Sequence, residues 1–250
     1  MAVLGIDIGG SGIKGAPVNV ETGEFVEGRF RTPTPSPGHP QQVLEVVRGI
    51  IKHFSWDGEV GIGFPGVVRR GEVRTSANVS SEWVGKNLAD MVKDATGCET
   101  IVLNDADAAG LAEMRFGIGK NYGDDFVLFL TIGTGIGSAI FARGVLWPNS
   151  ELGHLQIGGK DAEHHAGDGV RKVNRLSWKS WGKRLNEVLQ VYDALLTPDV
   201  IILGGGVSKQ FDEYGKYLKG TDARIMPAQL LNQAGIIGAA MAAGESLIIG

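Results

Sequence analysis

Apolar residues occur in this chain both as short continuous runs and as longer stretches with helical spacing, and the two kinds alternate. The continuous runs predict buried strands over residues 2–8, 60–64 and 126–132. Apolar positions that recur every three or four residues predict helices over 41–54 and 178–196. Because strands and helices alternate along one chain, the pattern predicts the α/β class.

The remaining elements follow from the same periodicities and from turn residues. Residues 32–40 contain four of the nine prolines and predict a stiff, extended loop. The other predicted elements are strands over 13–20, 25–31, 100–103, 138–141 and 200–203, helices over 88–95, 106–116 and 233–247, and hairpin turns at 21–24 and 69–72.

One pattern occurs twice. Residues 4–16 and 128–139 each run from an apolar strand through Asp or Thr and Ile-Gly into Ser/Thr-Gly-Ile and then Ala. In both segments the glycine-rich turn lies between two β-rich runs. Two turns of one design suggest a duplicated fold in which two phosphate-binding loops face one another.

Composition narrows the class of protein. The chain has 250 residues, of which 43 % are hydrophobic and 21 % charged, so it fits one large or two small soluble domains. A net charge of −4 argues against broad nucleic-acid binding. With no membrane-length apolar run and no signal peptide in its first residues, the chain is expected to be cytoplasmic. A single cysteine, Cys98, excludes an intrachain disulfide and a thiolate zinc cluster, so no structural zinc is expected.

The first glycine-rich turn has the chemistry of a phosphate and metal site. Glycines let backbone N–H groups face an anion, Ser11 adds a hydroxyl, and Asp7 could hold Mg²⁺ through water. A plain hairpin with a glycine turn is the competing interpretation, and Lys14 could either reach a phosphate or be solvated. The candidate ligands here are Asp7, Gly9, Gly10, Ser11, Gly12 and Lys14.

The second turn offers Thr131, Gly133, Thr134 and Gly135 as the partner phosphate loop. Its Gly-x-Gly-x-Gly pattern lies between two strands and does not open a helix, so a dinucleotide site is disfavoured. A third glycine turn, Gly204-Gly205-Gly206, follows a buried strand. Such strand-to-helix turns are common, and alone this one identifies nothing.

Asn104-Asp105-Ala106-Asp107 lies where a strand ends and a helix starts. Ligands of α/β folds bind at strand carboxyl ends, and a carboxylate there can accept a proton from an attacking hydroxyl. An aspartate at this place is also a common helix cap. We expect Asp105 to be the general base and Asp107 to be the cap.

Glu151, His154 and Glu163 supply two carboxylates and an imidazole within 13 residues. Adjacent hydroxyls of a sugar suit paired acceptors and a donor. A metal site formed by His154, His164 and His165 is the weaker interpretation, because this spacing fits no standard zinc site.

Residues 171–184 form a basic run without an acidic residue. Arg175, Lys179 and Lys183 are spaced i, i+4, i+8, which predicts one helical stripe. A solvated surface is the ordinary interpretation of such a run, but beside a phosphate site it would guide a polyanion. The six basic residues are Arg171, Lys172, Arg175, Lys179, Lys183 and Arg184.

Taken in order, these motifs resemble those of the ROK sugar kinases, which belong to the actin/hexokinase-like ATPase superfamily. The resemblance covers residues 3 to about 245, and it is greatest with the polyphosphate-using glucokinase branch. The segments that carry the resemblance are Asp7–Gly10, Asn104–Ala106, Gly133–Gly137, Glu151–His154 and Leu203–Ser208, with Gly5–Val18 and Trp147–His154 for the branch. Residues 155–168 lack the cysteine-rich zinc motif of the wider family.

The resemblance implies a duplicated α/β fold with two lobes around a central cleft. The smaller lobe would comprise residues 1–107 with about 234–250, and the larger lobe 108–233. The implied reaction is phosphoryl transfer from inorganic polyphosphate, with ATP as a further candidate donor, to the 6-hydroxyl of glucose. Mg²⁺ would be the cofactor and a homodimer the assembly, with no nucleic-acid or membrane partner.

The resemblance also implies a role for each candidate. Asp105 would be the general base, both glycine loops and Asp7 would hold phosphate and magnesium, and Gly204–Gly206 would lie on the adenosine side of the donor in ATP-using relatives. The implied sugar ligands are Asn78, Asn104, Asp105, Glu151, His154 and Glu163. Glu163 departs from its family context, because the zinc motif that accompanies it elsewhere is missing.

Other functions remain open at this stage. An ATP-only glucokinase, or a kinase of another hexose such as mannose, would carry nearly the same motifs. A sugar-responsive repressor would need a DNA-binding segment before Asp7, where no room is expected. An actin-like filament protein would leave the residues at 105, 151, 154 and 163 unexplained.

Overall fold

The computed structural model describes residues 1–245, which form two compact units. Met1–Ala112 and the chain from Gln233 onward make unit 1, and Glu113–Asn232 makes unit 2. The sequence placed the division a few residues earlier, at 107/108, with the return at about 234. The chain passes from unit 1 to unit 2 within one helix, Asp105–Phe116.

The helices and strands, numbered in chain order, are β1 Ala2–Gly9, β2 Gly12–Asn19, β3 Glu24–Phe25, β4 Phe30–Thr32, α1 Pro40–His53, β5 Val60–Phe64, β6 Val68–Arg69, β7 Glu72–Val73, α2 Leu88–Thr96, β8 Thr100–Asn104, α3 Asp105–Phe116, β9 Phe126–Ile132, β10 Ile136–Ala142, β11 Val145–Trp147, β12 Gln156–Ile157, β13 Lys160–Asp161, α4 Ala162–Ala166, α5 Asp168–Val173, α6 Trp178–Leu196, β14 Val200–Gly204, α7 Phe211–Tyr214, β15 Arg224–Pro227 and α8 Ala234–Gly244.

Unit 1 is built on a sheet with strand order β3-β2-β1-β5-β8, and β4 also pairs with β2. β1 and β2 form an antiparallel hairpin, whereas β1, β5 and β8 run parallel. The strand predicted over 25–31 is interrupted: β3 and β4 pair separately with β2.

Unit 2 repeats this plan. Its sheet has the order β11-β10-β9-β14-β15, with an antiparallel β9–β10 hairpin and parallel pairs of β14 with β9 and with β15. The two glycine-rich segments of the sequence are the first hairpin of each sheet, so the predicted duplicated α/β fold is confirmed.

The parallel strands β5 and β14 are buried on both faces, which explains their continuous apolar runs. Every residue of β5 and of β14 is buried. In unit 1, α1 begins with Pro40 in its first turn, where the missing N–H costs nothing, and buries Val43, Val47 and Ile50. In unit 2, α6 begins at the predicted residue because the Ser177 side chain accepts the Ser180 N–H.

α8 packs very closely within unit 1 because small residues line the contact. A Cβ on Gly61 of β5 would collide with the Ala239 carbonyl, and one on Gly238 would collide with the Ala108 carbonyl. The predicted small-residue helix is therefore a close-packing element. It ends at Gly244, and its predicted last residues, 246 and 247, lie outside the described residues. None of the helices in the described chain is long and apolar enough to cross a membrane.

Candidate active site

The first glycine turn joins β1 to β2 in unit 1. Gly9 and Gly12 are paired across the hairpin, so Gly10 and Ser11 form the loop. A Cβ on Gly10 would lie 2.8 Å from the Cβ of Asn78, which has a left-handed backbone with φ of 63°. Glycine is thus required at position 10, and the predicted sugar ligand Asn78 lies directly against the turn.

Asp7 and Lys14 face each other across the same hairpin. The Lys14 Nζ lies 3.1 Å from Asp7 Oδ2, and both side chains are largely buried. A Cβ on Gly235, in the first turn of α8, would lie 3.1 Å from the Asp7 carboxyl carbon. Lys14 is therefore an ion-pair partner of Asp7 and not a freely solvated cation.

Two side chains that the sequence did not indicate hold the first turn from one side. Arg31 of β4 donates from Nη2 to the Ser11 carbonyl at 3.0 Å, and the Thr34 hydroxyl donates to the Gly9 carbonyl. The pairing of Arg31 with Lys14 across β2 and β4 brings the guanidinium there. The proline-rich loop that begins at residue 32 thus supports the turn, a role that its composition alone does not indicate.

Asn104 and Asp105 lie at the junction of β8 and α3. The Asn104 Oδ1 accepts the N–H groups of Ala106 at 2.8 Å and Asp107 at 3.1 Å, and its Nδ2 donates to the Gly66 carbonyl. Asn104 is therefore the helix cap, and the prediction that Asp107 is the cap is wrong. Asp107 lies one turn too far along the helix and is buried, whereas Asp105 is half-buried at the helix start.

The second glycine turn joins β9 to β10 in unit 2. Gly133 accepts a hydrogen bond from the Gly169 N–H at 3.1 Å. Cβ atoms on Gly167 and Gly169 would lie 2.8 and 2.6 Å from the Thr134 carbonyl oxygen. The connection between α4 and α5 therefore packs backbone to backbone on this turn.

The third glycine turn packs beside the second. Gly205 has φ of 76°, and a Cβ there would collide with the backbone of Ile132, the last residue of β9. Gly205 thus combines a left-handed backbone with a close approach, two reasons for glycine at this position. Within unit 2, the two glycine turns meet at the end of β9.

The three predicted sugar ligands of unit 2 lie together. His154 Nε2 is 3.6 Å from Glu151 Oε2, and His154 Nδ1 is 3.9 Å from Glu163 Oε1. Ser138 fixes the Glu151 segment because its hydroxyl accepts the Leu152 N–H at 3.0 Å. Ser138 belongs to β10, Glu151 and His154 lie just after Ser150, and Glu163 belongs to α4. The fold therefore brings three separate segments together at this site.

Glu163 also contacts the second glycine turn. Its Oε2 accepts the Ile136 N–H at 3.4 Å, and a Cβ on Gly135 would collide with this oxygen. One carboxylate therefore contacts both the predicted sugar site and the predicted phosphate loop.

Burial is the main cause that raises the pKa of the Glu151 carboxyl above its ordinary value. The electrostatic effect of the neighbouring His154 opposes this shift, and the negative charge of Glu163 adds to it. Neutralising Glu163 should therefore lower the pKa of Glu151.

Asp161 joins this cluster, and sequence analysis missed it. Its Oδ2 lies 3.2 Å from His154 Nδ1. Among the described residues, His154, Asp161 and Glu163 offer ligand atoms within 4.8 Å of one another, which is the geometry of a possible cation site. The weaker metal interpretation named His165, which instead lies 2.7 Å from Glu187 on α6. His164 borders the cluster, 3.9 Å from Asp161. The expected absence of structural zinc stays a prediction.

The basic run does not form the predicted stripe. α6 starts at Trp178, and Arg175 lies in the preceding turn with φ of 50°. Only Lys179 and Lys183 of the proposed three share the helix. The prediction of a single stripe is wrong because Ser177 starts a new helix inside the run.

Two members of the run are paired with an acid just before it. Arg171 and Lys172 lie 2.6 and 2.7 Å from the Asp168 carboxylate, and Arg171 stacks on Trp178 at 3.9 Å. These pairs reduce the free positive charge at the start of the run. Arg175, Lys179, Lys183 and Arg184 remain as the stronger candidates for a polyanion surface.

Comparison with known proteins identifies the class. The model of the ROK family matches residues 3–170. The chain is 44 % identical over 240 residues to the polyphosphate glucokinase of Mycobacterium tuberculosis (strain CDC 1551 / Oshkosh), which covers 96 % of this chain and 90 % of that protein.

Solved structures agree with this match. The inorganic polyphosphate/ATP-glucomannokinase from Arthrobacter sp. strain KM superposes with a TM-score of 0.93 at 40 % identity, covering 98 % of this chain and 99 % of that one. A ROK family glucokinase from Streptomyces griseus in complex with glucose and AMPPNP gives a TM-score of 0.83 at 25 % identity, covering 98 % and 100 %. The chain therefore belongs to the ROK family, as its motifs predicted.

Proposed function

We propose that this protein transfers a phosphoryl group from inorganic polyphosphate to the 6-hydroxyl of glucose. The Mycobacterium tuberculosis and Arthrobacter relatives, at 44 % and 40 % identity, are kinases whose names include polyphosphate. The observation that carries the proposal is the grouping of Glu151, His154 and Glu163 beside the second glycine turn. An acceptor for sugar hydroxyls and a loop suited to phosphate thus occur together in one unit.

The reaction forms a bond between the glucose O6 and the terminal phosphorus and breaks the bond between this phosphorus and the next bridging oxygen. Asp105 accepts the proton that O6 loses, and the shortened polyphosphate leaves with the bond's electron pair. Asn104 fixes the start of α3 by capping it, which holds Asp105 in place. The glycine turns supply N–H groups for the charge on the transferred group.

Mg²⁺ fits the donor set of unit 1 as an ion held through water. The Asp7 carboxylate already pairs with Lys14 through one oxygen, so it would contact the ion's water shell with the other. Bound there, the metal would neutralise charge on the phosphates. Gly9, Gly10, Ser11 and Gly12 would bind the same phosphates through their backbone.

The variant Asp105→Asn tests the assigned reaction. We expect wild-type protein to form glucose 6-phosphate from polyphosphate, and the variant to lose at least ~10²-fold in kcat because the amide cannot take the proton. Glucose affinity, measured by calorimetry, should change little. A variant with a near-wild-type rate would show that Asp105 is not the base.

ATP and mannose are the second candidate donor and acceptor, because the Arthrobacter relative is described as a polyphosphate/ATP-glucomannokinase. Gly204, Gly205 and Gly206 would then lie on the adenosine side of the donor. Parallel assays with both donors and both sugars decide this point. A homodimer in the cytoplasm is the expected state, and light scattering during size-exclusion chromatography measures the assembly.

The basic run is proposed to attract polyphosphate. Replacing Arg175, Lys179 and Lys183 with Gln should raise the KM for long polyphosphate several-fold at low salt and leave the KM for ATP nearly unchanged. The matched control changes Lys120, Lys216 and Lys219 of the same unit, which removes the same charge. Equal effects on both donors, or equal effects of both triple variants, would contradict the proposed polyanion surface.

A further inference from the structure

Asp161 occupies a place in unit 2 where aspartate usually caps a helix, yet it does not cap. It is the residue immediately before α4, and its side chain accepts no hydrogen bond from the helix N–H groups. A capping Asp commonly contributes about 1 kcal/mol. The carboxylate instead contacts the side chains of Gln156, in its own hairpin, and of His154.

Both carboxylate oxygens of Asp161 are engaged. Gln156, its partner across the β12–β13 hairpin, donates from Nε2 to Oδ1. His154 Nδ1 lies 3.2 Å from Oδ2. Because Gln156 fixes one oxygen and the hairpin fixes the backbone, the second oxygen stays directed at the imidazole. The Asp161 side chain is 24 % exposed, and that of His154 is 54 % exposed.

The bond dictates which ring nitrogen of His154 carries the proton. An ionised carboxylate only accepts hydrogen bonds, so the Nδ1 facing Asp161 must be the protonated nitrogen. In the neutral ring, Nε2 is then bare and acts as an acceptor. That nitrogen is on the side of Glu151, whose Oε2 lies 3.6 Å away.

We propose that Asp161 is a positioning residue that holds His154 in the Nδ1–H tautomer, so that Nε2 accepts a hydrogen bond from a sugar hydroxyl. The inference rests on the proposed function for the identity of the ligand, but the ring state does not depend on it. Glu151 accepts a second hydroxyl of the same sugar, and Asp161 touches no sugar atom.

Two of the three carboxylates around the ring lie on the Nδ1 side, and the third, Glu151, lies on the Nε2 side. Glu163 Oε1 lies 3.9 Å from Nδ1, on the side of Asp161, so two carboxylates favour a proton on Nδ1. His164 is 3.9 Å from Asp161 and 3.8 Å from Glu163 and is more exposed than His154. The charged groups facing His154 are therefore Glu151, Asp161 and Glu163, with His164 behind them.

Nitrogen-15 NMR of histidine-labelled protein tests the ring state directly. The protein has five histidines, and the His154→Gln variant identifies the signals of His154 by their loss. At a pH where the ring is neutral and with a chelator present, we expect a protonated Nδ1 and a bare Nε2. In Asp161→Ala the population should move to the Nε2–H form, whereas Asp161→Asn, whose amide oxygen can still accept, should keep much of the Nδ1–H form.

Kinetics test the consequence. Asp161→Ala should raise the KM for glucose about tenfold, the loss expected for a hydrogen bond with a charged partner, and leave the KM for the phosphoryl donor within about twofold. Asp161→Asn should recover most of the glucose affinity. The matched control is Glu187→Ala, which breaks the other close histidine–carboxylate pair of this unit, with His165, and should change neither constant.

Specific results would overturn the inference. An Nε2–H ring in the wild-type protein, or a ring state that Asp161→Ala does not change, contradicts it. A cation held by Nδ1 and the two carboxylates would remove the Nδ1 proton, so a ring that changes when the chelator is withdrawn also contradicts it. If no sugar is phosphorylated, the proposed function fails, and the NMR result alone then decides the role of Asp161.

Discussion

The two glycine turns have the same place in their sheets but are held by different means. In unit 1, side chains hold the turn: Arg31 and Thr34 donate to two of its carbonyls. In unit 2, backbone packs on the turn, with Gly167 and Gly169 against Thr134, and one side-chain carboxylate, that of Glu163, accepts an N–H group at the start of β10. The duplication preserved the hairpin and not its supports.

This difference has a functional consequence. The supports of the first turn contact the turn itself, so their loss should weaken donor binding most, with a smaller effect on sugar binding through the neighbouring Asn78. The second turn shares Glu163 with the predicted sugar ligands Glu151 and His154, so a change there should affect donor and sugar together. Three substitutions separate these cases.

The largest effect is expected for Gly169→Ala. Its Cβ would lie 2.6 Å from the Thr134 carbonyl oxygen, so the second turn must move, and we expect kcat/KM to fall by about 10²-fold. Gly49→Ala is the control, because Gly49 lies inside α1 and a Cβ there has no neighbouring atom within 4 Å. Alanine is the better helix former, so this variant should stabilise the fold by about 0.5–1 kcal/mol. Steady-state rates and thermal unfolding measure both variants. An active Gly169→Ala protein would show that the second turn tolerates displacement.

An intermediate effect is expected for Glu163→Gln. The KM values for glucose and for the donor should both rise, by about tenfold, because one carboxylate contacts both sites. Removing its negative charge lowers the pKa of Glu151. Because Glu151 accepts a sugar hydroxyl in its ionised form, the acid limb of the pH profile of kcat/KM should move to lower pH. A rise in the KM for glucose alone would contradict the shared role.

The smallest effect is expected for Thr34→Val, which removes one donor to the first turn. The KM for the donor should rise about three- to tenfold, the effect of losing one hydrogen bond, and the KM for glucose should rise less, because Asn78 lies against the turn. Thr34→Ser should restore the wild-type value, and Thr32→Val is the control in the same segment. If glucose binding weakens equally, the first turn is not specific to the donor.

The fold was largely predictable because its signals are local. The repeated glycine pattern predicted the duplicated sheets, and the apolar spacing over 178–196 predicted the bounds of α6. The sequence also predicted that Glu151, His154 and Glu163 act together, because two carboxylates and an imidazole within 13 residues suit the hydroxyls of a sugar.

The features that were not predicted depend on contacts between residues far apart in the chain, or on a choice between two neighbouring residues for the same role. Arg31 reaches the first turn only through strand pairing, and Asp161 reaches His154 only through a hairpin. At the start of α3, two residues could cap the helix, and the strand end placed Asn104, not Asp107, at the free N–H groups. The helical stripe failed because a serine inside the basic run starts a new helix.

Phosphorus-31 NMR of the complete reaction directly tests phosphoryl transfer from polyphosphate to glucose. Purified protein, glucose, Mg²⁺ and long-chain polyphosphate are observed over time, with a parallel sample containing ATP. We expect a new phosphate ester signal coupled to the two C6 protons of glucose, growing as polyphosphate shortens and without matching release of orthophosphate. Orthophosphate alone, or an ester that forms only with ATP, would contradict this expectation.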